Sequence, residues 1–359
     1  MLKYIGSKRR LVPALTGAVL ATGASSAADL FTGTTRVAQS LKRAGLAVTA
    51  ADSASYSAVL SDCFIATDAD AVDRALVASE IDRLNSLPGS SGYVTEVFCR
   101  RARFFQPDNG ERIDAIRDAI EDYRGTPMFT LALTALLLAA DRVDSTTGVQ
   151  MAFLKQWAPR SHRPLELRPP ELIPGPGRTV RGDITRTASR VGPVDLAYLD
   201  PPYNQHRYEA NYHVWETLVR WDEPEHYGVA CKRVDLRDSP ERSPFNSRRS
   251  FGPALRSVLE SLDCGTVMLS YNDESWVGAA EIAAWLRESG RAEVQVLGFD
   301  SARYVGARIG IHNPSGDKVG EVRRTRNTEW LFVAGDPQSV HAAAEALRHH
   351  GAHSVALAD

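Results

Sequence analysis

The stretch VDLAYLDPPYN, Val194 to Asn204, decides the fold and carries a chemical signal. It opens with a mainly apolar run that predicts a buried strand, and Asp200 follows that run directly. Ligands of open α/β sheets bind at the carboxyl ends of the strands, so this order places Asp200 at the ligand-binding edge. Pro201 and Pro202 fix the backbone angle φ and lack N–H groups. They stiffen the turn and leave the Asp200 carboxylate and the Pro201 carbonyl as free acceptors.

Two acceptors followed by an aromatic ring suit the binding of a nucleobase amino group. The Asp200 carboxylate and the Pro201 carbonyl would hold an exocyclic NH₂ and direct its nitrogen lone pair toward an electrophile, while Tyr203 offers a face for stacking. A methyl group on a sulfonium is already activated, so its transfer needs alignment and charge stabilisation but neither a metal nor a covalent nucleophile. The alternative is a proline-rich loop in which Asp200 only caps a turn. The motif favours amino methylation.

The composition is that of a globular protein, and 359 residues are enough for one large domain with an insertion, or for two domains. The formal net charge of -2 disfavours a wholly basic nucleic-acid binder, but a local basic face is sufficient to bind phosphates. The four cysteines include no C-x-x-C pair, so the sequence predicts no metal site and no disulfide framework, and it favours a reducing cytoplasm. The apolar runs at 11–28 and 128–140 are too diluted or too short to predict a membrane segment.

Strand-like runs alternate with helical patterns at both ends of the chain, which predicts an α/β fold with a doubly wound, mostly parallel sheet. The predicted strands are 28–31, 47–51, 179–183, 194–199, 266–271, 293–299 and 329–334. Between the second and third of these strands the pattern is helical, with predicted helices at 68–87, 109–123 and 127–143. We therefore expect a sheet domain formed by 1–63 and 166–359, with a helical inserted lobe at 64–165 that helps to read the target.

A glycine turn follows the first predicted strand, in ADLFTGTTRVAQSLKRAG, Ala28 to Gly45. In a doubly wound sheet this turn is where a nucleotide-like cofactor lies, because Gly33 permits close backbone approach and the helix start offers free N–H groups. Nineteen residues later Asp52 ends the next strand, where a carboxylate can accept from both ribose hydroxyls. Two alternatives remain open: Gly33 serves only the turn, and Asp52 caps the helix that follows it.

Several motifs, in their order along the chain, resemble those of the Dam-like N6-adenine DNA methyltransferases. They are YIGSK at 4–8, DLFTGT at 29–34, Asp52, RGD at 181–183, DPPY at 200–203, YHVWETL at 212–218, LSYNDE at 269–274 and RNTEWLFV at 326–333. The resemblance implies a Rossmann-like methyltransferase fold, S-adenosyl-L-methionine as the cofactor, double-stranded DNA as the substrate, and a target base flipped out of the duplex. It covers the sheet but not the helical block.

The resemblance also implies a cofactor site made of Tyr4, Lys8, Phe31, Gly33, Asp52 and Asp183. Lys8, with Tyr4 nearby, would meet the cofactor carboxylate, and the glycine turn would line its methionine end. Asp52 would accept from the ribose hydroxyls, and Asp183 from the adenine amino group of the cofactor. The catalytic motif would be Asp200, Pro201, Pro202 and Tyr203. Where the family usually has a second glycine this chain has Thr35, which is either the first helical residue or a hydroxyl donor to the cofactor.

Two basic segments, 231–256 and 303–326, are predicted to contact DNA phosphates. The second has the pattern of a β-hairpin with NPSGD as its turn, and a two-stranded ribbon fits a DNA groove. The predicted DNA-contacting residues are Lys232, Arg233, Arg248, Arg249, Arg303, Arg308, Arg323 and Arg324, together with His206 and Arg207 directly after DPPY. For any one arginine, a solvated charged face is the alternative.

These patterns predict a site-specific DNA methyltransferase that makes N6-methyladenine and protects DNA as the partner of a restriction or other defence protein. We expect a cytoplasmic, nucleoid-associated monomer or homodimer. Two alternatives remain open. One is an amino methyltransferase that acts on cytosine N4 or on an RNA base, and the other is a non-catalytic DNA-binding protein of the same fold in which Thr35 weakens cofactor binding.

Overall fold

The computed structural model describes residues 2–4, 8–202, 208–238, 243–302, 311–312, 318–320 and 326–357. The chain packs as two compact units, each assembled from three segments. Unit 1 consists of Met1–Ser7, Phe31–Thr187 and His206–Ser243, and unit 2 of Lys8–Leu30, Ala188–Gln205 and Pro244–Asp359. The sequence analysis divided the chain into consecutive segments with boundaries at 63 and 165, whereas the two units are defined by which residues pack together. The predicted boundaries stay a prediction.

Unit 1 is mainly helical, with elements numbered along the whole chain. Its helices are α2 (Arg36–Arg43), α3 (Ser55–Ser61), α4 (Arg74–Ser86), α5 (Pro107–Ile120), α6 (Pro127–Val143), α7 (Ile184–Thr187), α8 (Tyr208–Asn211), α9 (His213–Arg220) and α10 (Val234–Asp238). Strands β2 (Ala47–Asp52) and β3 (Gly177–Arg181) pair in parallel, and β5 (His226–Tyr227) pairs antiparallel with β6 (Lys232–Arg233). The helices predicted within 64–165 are observed as α4, α5 and α6.

Helix α6 is the core helix of unit 1. Pro127 stands at its first position, where the missing N–H costs no hydrogen bond. Its middle, Leu131 to Leu137, is buried on every face, as expected of a helix that is apolar all round. It packs against α3, α4, α5 and α9. In the described part of the chain, no helix is long and apolar enough to cross a membrane.

The described part of unit 2 contains a sheet with six strands in the order β12-β8-β11-β7-β4-β1. The strands are β1 (Ser26–Leu30), β4 (Val194–Leu199), β7 (Cys264–Asn272), β8 (Glu293–Ala302), β11 (Arg326–Gly335) and β12 (His353–Ser354). The pairs β1–β4 and β4–β7 are parallel, whereas β7–β11, β11–β8 and β8–β12 are antiparallel. Helices α1 (Val12–Ala21), α11 (Arg248–Ser261), α12 (Ala279–Glu288) and α13 (Pro337–His349) complete the unit. Here α13 packs against α1, and α12 against α11.

The predicted α/β fold is confirmed, and the three parallel pairs lie among the strands from which it was predicted. The alternation of runs did not distinguish the antiparallel strands β8 and β11 from parallel ones, and it did not predict β12. A short antiparallel pair, β9 (Ile311–His312) and β10 (Lys318–Gly320), forms where the hairpin was predicted. The NPSGD turn and Arg303, Arg308, Arg323 and Arg324 lie outside the described residues.

Candidate active site

Asp200 lies at the carboxyl end of β4, as predicted. Its backbone N–H donates to the Leu30 carbonyl at the end of β1, with an N to O distance of 3.3 Å. The buried Tyr198, two residues earlier, shares a hydrogen bond of 2.6 Å with the Ser270 hydroxyl on β7. The start of the DPPY motif is therefore tied to both neighbouring strands. Tyr203, His206 and Arg207 lie outside the described residues.

The side chain of Asp200 belongs to a cluster of three charged groups. The Lys8 ammonium lies 2.9 Å from Asp200 Oδ1, and it forms a second, short ion pair with the Glu329 carboxylate. The exposed fractions of these side chains are 8% for Lys8, 22% for Asp200 and 11% for Glu329, so the cluster is largely shielded from water. Glu329 comes from β11, opposite Asn272 on β7. The sequence analysis did not identify Glu329 as a site residue.

Burial raises the pKa of the Asp200 carboxyl to about 6, with the Lys8 charge lowering this pKa and the Glu329 charge raising it. The carboxyl is therefore ionised at neutral pH in spite of its burial. An ionised carboxylate accepts hydrogen bonds and donates none, which suits the binding of an amino group. The same negative charge stabilises a positive charge that develops on a bound nitrogen.

The glycine turn of unit 1 has an unusual backbone. Phe31, Gly33 and Thr35 have φ values of 64°, 54° and 61°, in the left-handed region that side chains other than glycine rarely adopt. A Cβ atom at Gly33 would lie 3.0 Å from the Tyr4 ring, so glycine is required there for space as well as for conformation. The turn is held by a hydrogen bond from the Thr32 N–H to the Ala51 carbonyl of β2, at 3.2 Å.

Thr35 directly precedes α2 and is fully buried. Its hydroxyl donates to the Thr34 carbonyl at 2.7 Å and accepts from the Gln39 side chain at 2.8 Å. Its left-handed φ is a backbone conformation that glycine adopts more readily than threonine. Because the hydroxyl is already bonded within the protein, the geometry does not favour the interpretation of Thr35 as a hydroxyl donor to the cofactor.

Asp52 ends β2 beside the glycine turn. Its Oδ2 atom accepts from the Gly33 N–H at 2.8 Å, and its Oδ1 atom accepts from the Ala54 N–H at 2.9 Å. Burial raises the pKa of Asp52, and these backbone hydrogen bonds oppose the rise. The Ser53 N–H and the Ser57 hydroxyl also lower the pKa of Asp52, so the carboxylate is first of all a cap of the turn and of the segment that follows it. The predicted role of Asp52 toward the ribose hydroxyls stays a prediction.

Tyr4 is fixed by an aromatic stack that the sequence analysis did not predict. Its ring stacks on Tyr212 with a centroid distance of 4.7 Å, and Tyr212 stacks on Trp215 at 4.5 Å. On the same helix, α9, the Glu216 carboxylate accepts from the Ser55 N–H at 2.7 Å and so holds the start of α3. The stretch YHVWETL thus supports Tyr4 and the segment after Asp52, and its pairing of two aromatic residues with an acid is the signal that could have indicated this role.

Asp183 follows β3 and begins α7. Its Oδ1 atom accepts from the Thr185 N–H at 2.9 Å and from the Thr185 hydroxyl. This is the geometry of a helix-capping aspartate, and it leaves the other oxygen with its acceptor capacity. The predicted role of Asp183 toward the adenine amino group of a cofactor stays a prediction.

A comparison with protein families decides the class. The profile of the D12 class N6 adenine-specific DNA methyltransferases matches residues 4–282, which include the glycine turn, Asp52 and the DPPY motif. The chain belongs to this family. It is therefore an enzyme of the DNA adenine methyltransferase class, and DNA is its substrate.

Curated relatives of this D12-class methyltransferase are modification enzymes. The type II methyltransferase M.NlaIII of Neisseria lactamica is 28% identical over 310 residues, 82% of this chain and 90% of that protein. The modification methylase StsI of Streptococcus sanguinis is 26% identical over 306 residues, 80% of this chain but 46% of StsI. The type II methyltransferase M.CviAII of Paramecium bursaria Chlorella virus 1 is 28% identical over 213 residues, 57% of this chain and 62% of that protein. The chain thus spans nearly all of M.NlaIII and about half of StsI.

Four of the predicted DNA-contacting residues lie in the described part of this D12-class methyltransferase. Arg233 is buried, and its guanidinium pairs with Asp222 at 2.6 Å and with Asp235 at 2.9 Å. This corrects the prediction for Arg233, because a buried, doubly paired cation is unavailable to a phosphate. Arg248 and Arg249 are exposed at the start of α11 and line an open groove of about 640 Å³. They stay predicted DNA contacts. So does Lys232, which lies over the Tyr227 ring at 5.1 Å.

Proposed function

We propose that this D12-class methyltransferase transfers a methyl group from S-adenosyl-L-methionine to N6 of an adenine that is flipped out of duplex DNA. The observation that carries the proposal is the Asp200 carboxylate, which is fixed after β4 and ionised at neutral pH within a largely buried cluster. Family membership supplies the base and the atom that is methylated. The DPPY geometry supplies the acceptors that the reaction needs.

Asp200 and the Pro201 carbonyl accept hydrogen bonds from the N6 amino group and direct its lone pair outward. The cofactor supplies a methyl group on a positively charged sulfonium. N6 would form a bond to the methyl carbon as the sulfur–carbon bond breaks and leaves a neutral thioether, so the positive charge passes to the nitrogen, where the Asp200 carboxylate stabilises it. A carboxyl with a pKa near 6 can then accept the proton that N6 releases and pass it to solvent above that pH. Tyr203 is the proposed stacking partner of the flipped base.

The residues of unit 1 fit the ribose end of the proposed cofactor. Asp52 is the proposed acceptor of the ribose hydroxyls, fixed by the Gly33 and Ala54 N–H groups, and Gly33 lets the backbone of the turn approach a ligand closely. Tyr4, held by its stack on Tyr212, and Phe31 are the proposed side-chain contacts of this part of the site. Lys8, which pairs with Asp200 and Glu329 in unit 2, stays the proposed contact of the cofactor carboxylate.

The biological context is also a proposal. The relatives carry the names of type II and modification methylases, which supports a protective role beside a restriction or other defence protein. We further propose that the helical lobe at 64–165 helps to read the target, and that the enzyme acts as a monomer or homodimer at the nucleoid in the cytoplasm.

The test is to incubate the purified protein with tritiated S-adenosyl-L-methionine and mixed bacterial DNA, and then to identify the labelled nucleoside. We expect N6-methyladenine from the wild type and none from the Asp200→Ala variant. Label in N4-methylcytosine or only in added RNA would overturn the substrate. If neither methyl transfer nor cofactor binding were detected, a DNA-binding protein of the same fold would replace the enzyme.

A further inference from the structure

Glu329 is a largely buried acid beside the catalytic motif. Buried carboxylates are rare unless they are paired, and Glu329 is paired with Lys8. Lys8 in turn lies 2.9 Å from Asp200 Oδ1, so one ammonium contacts two carboxylates. Strand β11 fixes the position of Glu329, because its register with β7 runs without a shift from Glu329 to Ala334.

The charges of this cluster do not cancel. With all three groups ionised, one lysine and two carboxylates carry a net charge of one negative unit. Without Glu329, the ion pair of Lys8 and Asp200 would have a net charge of zero. A neutral ion pair attracts a developing cation much less than a net negative cluster does, since the two opposite contributions nearly cancel at similar distances.

We propose that Glu329 is a positioning residue for methyl transfer, which holds the Lys8 ammonium to one side of Asp200 and keeps the cluster negatively charged. Asp200 can then face the target amino group as a carboxylate that Lys8 only partly neutralises. Glu329 acts through Lys8 and does not touch the base. The inference rests on the proposed role of Asp200.

Three groups in the described part of unit 2 bear on the charge of Asp200. They are Lys8, Glu329 and the Tyr198 phenol on the strand that carries the motif. Glu329 raises the pKa of Asp200, so its removal shifts that pKa downward. Glu329→Gln therefore has two separable effects on a plot of methylation rate against pH. The pH range in which the rate falls with acidification (the acid limb) moves to lower pH, and the constant rate above that range (the plateau) decreases.

The experiment is single-turnover methylation of DNA by the wild type and by Glu329→Gln between pH 5 and 9. The glutamine keeps the shape and an oxygen acceptor for Lys8 but removes the charge. We expect the plateau rate to fall about 10-fold to 100-fold, with KM values for DNA and cofactor unchanged. Glu329→Asp, which restores the charge, should recover part of the rate. The matched control is Glu345→Gln, an exposed glutamate on α13, which should behave as the wild type.

A second readout does not depend on turnover. Unfolding by urea at several pH values, compared between each protein and its Asp200→Asn counterpart, isolates the contribution of Asp200, which falls as pH rises through the folded-state pKa of a carboxyl whose pKa is raised. In Glu329→Gln this fall should move to lower pH. In a Lys8→Gln background, Glu329→Gln should have a much smaller additional effect on the rate, because the proposal routes its action through Lys8.

Each result decides a separate point. A Glu329→Gln enzyme with the rate and acid limb of the wild type would overturn the inference and leave the proposed function standing. A rise in the cofactor KM alone would overturn it too, because Glu329 would then serve only cofactor binding. A loss of stability without a shift of the acid limb would show a merely structural residue. An inactive wild type would overturn the proposed function, and this inference with it.

Discussion

Asp52 in unit 1 and Asp200 in unit 2 are two strand-end carboxylates that are held in different ways. Asp52 accepts backbone N–H groups from Gly33 and Ala54, so the path of the chain itself fixes it. Among the described residues, the Asp200 carboxylate is held by the Lys8 ammonium, and Glu329 adjusts its charge. Backbone donors fix the position of a ligand-binding carboxylate, whereas charged side chains set the protonation and charge of a reactive carboxylate. The comparison predicts that Asp52 acts on binding and Asp200 on the chemical step.

The largest expected effect is the loss of methylation in Asp200→Asn. The amide cannot stabilise positive charge on N6, so we expect the single-turnover rate to fall about 100-fold to 1,000-fold at saturating cofactor. The fold should survive, because asparagine has nearly the same shape as aspartate. An Asp200→Asn enzyme with an unchanged rate and a raised cofactor KM would remove the distinction between the two carboxylates.

The same variant should be more stable than the wild type at pH 8. The folded protein holds the Asp200 proton more tightly than the unfolded chain does, so the contribution of Asp200 to stability falls as pH rises from about 4 to about 6. Asp200→Asn lacks this fall and should gain up to about 3 kcal/mol in the free energy of unfolding. Urea unfolding at pH 4 and pH 8 measures the gain, and an equal difference at both pH values would contradict the account.

Arg233 in unit 1 is buried and paired, whereas Arg248 in unit 2 is exposed, so the two arginines are expected to serve stability and DNA binding respectively. Arg233→Met removes a buried guanidinium from Asp222 and Asp235, but both carboxylates keep an ion pair with Arg220, so we expect a loss of about 1.5 to 3 kcal/mol in the free energy of unfolding. Arg248→Ala is the matched control: it should unfold as the wild type does but bind DNA more weakly, with the slope of log affinity against log salt reduced by about 1. Weakened DNA binding by a stably folded Arg233→Met would restore the original prediction for Arg233.

Asp52→Asn tests the binding half of the comparison. One amide oxygen still accepts, but the NH₂ group replaces a charged acceptor. We expect the cofactor KM to rise about 10-fold, corresponding to the loss of one hydrogen bond to a charged group. The rate at saturating cofactor should stay close to that of the wild type, because Asp52 does not touch the target base. A variant that loses rate without a change in the cofactor KM would contradict this assignment.

The smallest expected effect concerns Thr35. Both Thr35→Gly and Thr35→Ala lose the hydrogen bonds to Thr34 and Gln39, but only glycine relieves the left-handed backbone. We expect Thr35→Gly to be more stable than Thr35→Ala by about 1 kcal/mol, measured by urea unfolding. The cofactor KM should be the same in both variants. Equal stability would mean that the backbone at Thr35 is not strained.

The features that the sequence predicted correctly depend on local patterns. Strand β4 and helix α6 begin and end at the predicted residues, because an apolar run before DPPY and a proline-initiated apolar helix have clear boundaries. Gly33 and Asp52 could be linked from their spacing, since consecutive parallel strands end at the same edge of a sheet. Asp200 was predicted correctly at the carboxyl end of β4 because it directly follows the apolar run of that strand.

The features that sequence reasoning missed depend on contacts between distant residues. Lys8 and Glu329 are 321 residues apart, and only the register of β11 against β7 places Glu329 in the cluster. The Arg233 prediction failed because a cation count does not show which cations are paired. Asp235, two residues after Arg233, was the local sign of that pairing. The stack of Tyr4 on Tyr212 likewise joins segments that the sequence separates widely.

The most direct test of the central claim is the pH dependence of single-turnover methylation at adenine N6, with Asp200→Asn beside the wild type. The account predicts that the wild-type rate falls as pH drops through about 6, because Asp200 gains a proton there. The slow residual rate of Asp200→Asn should lack this limb. A wild-type rate that is constant from pH 5 to pH 8, or an acid limb that persists in Asp200→Asn, would contradict the assignment of Asp200 as the ionised acceptor of the target amino group.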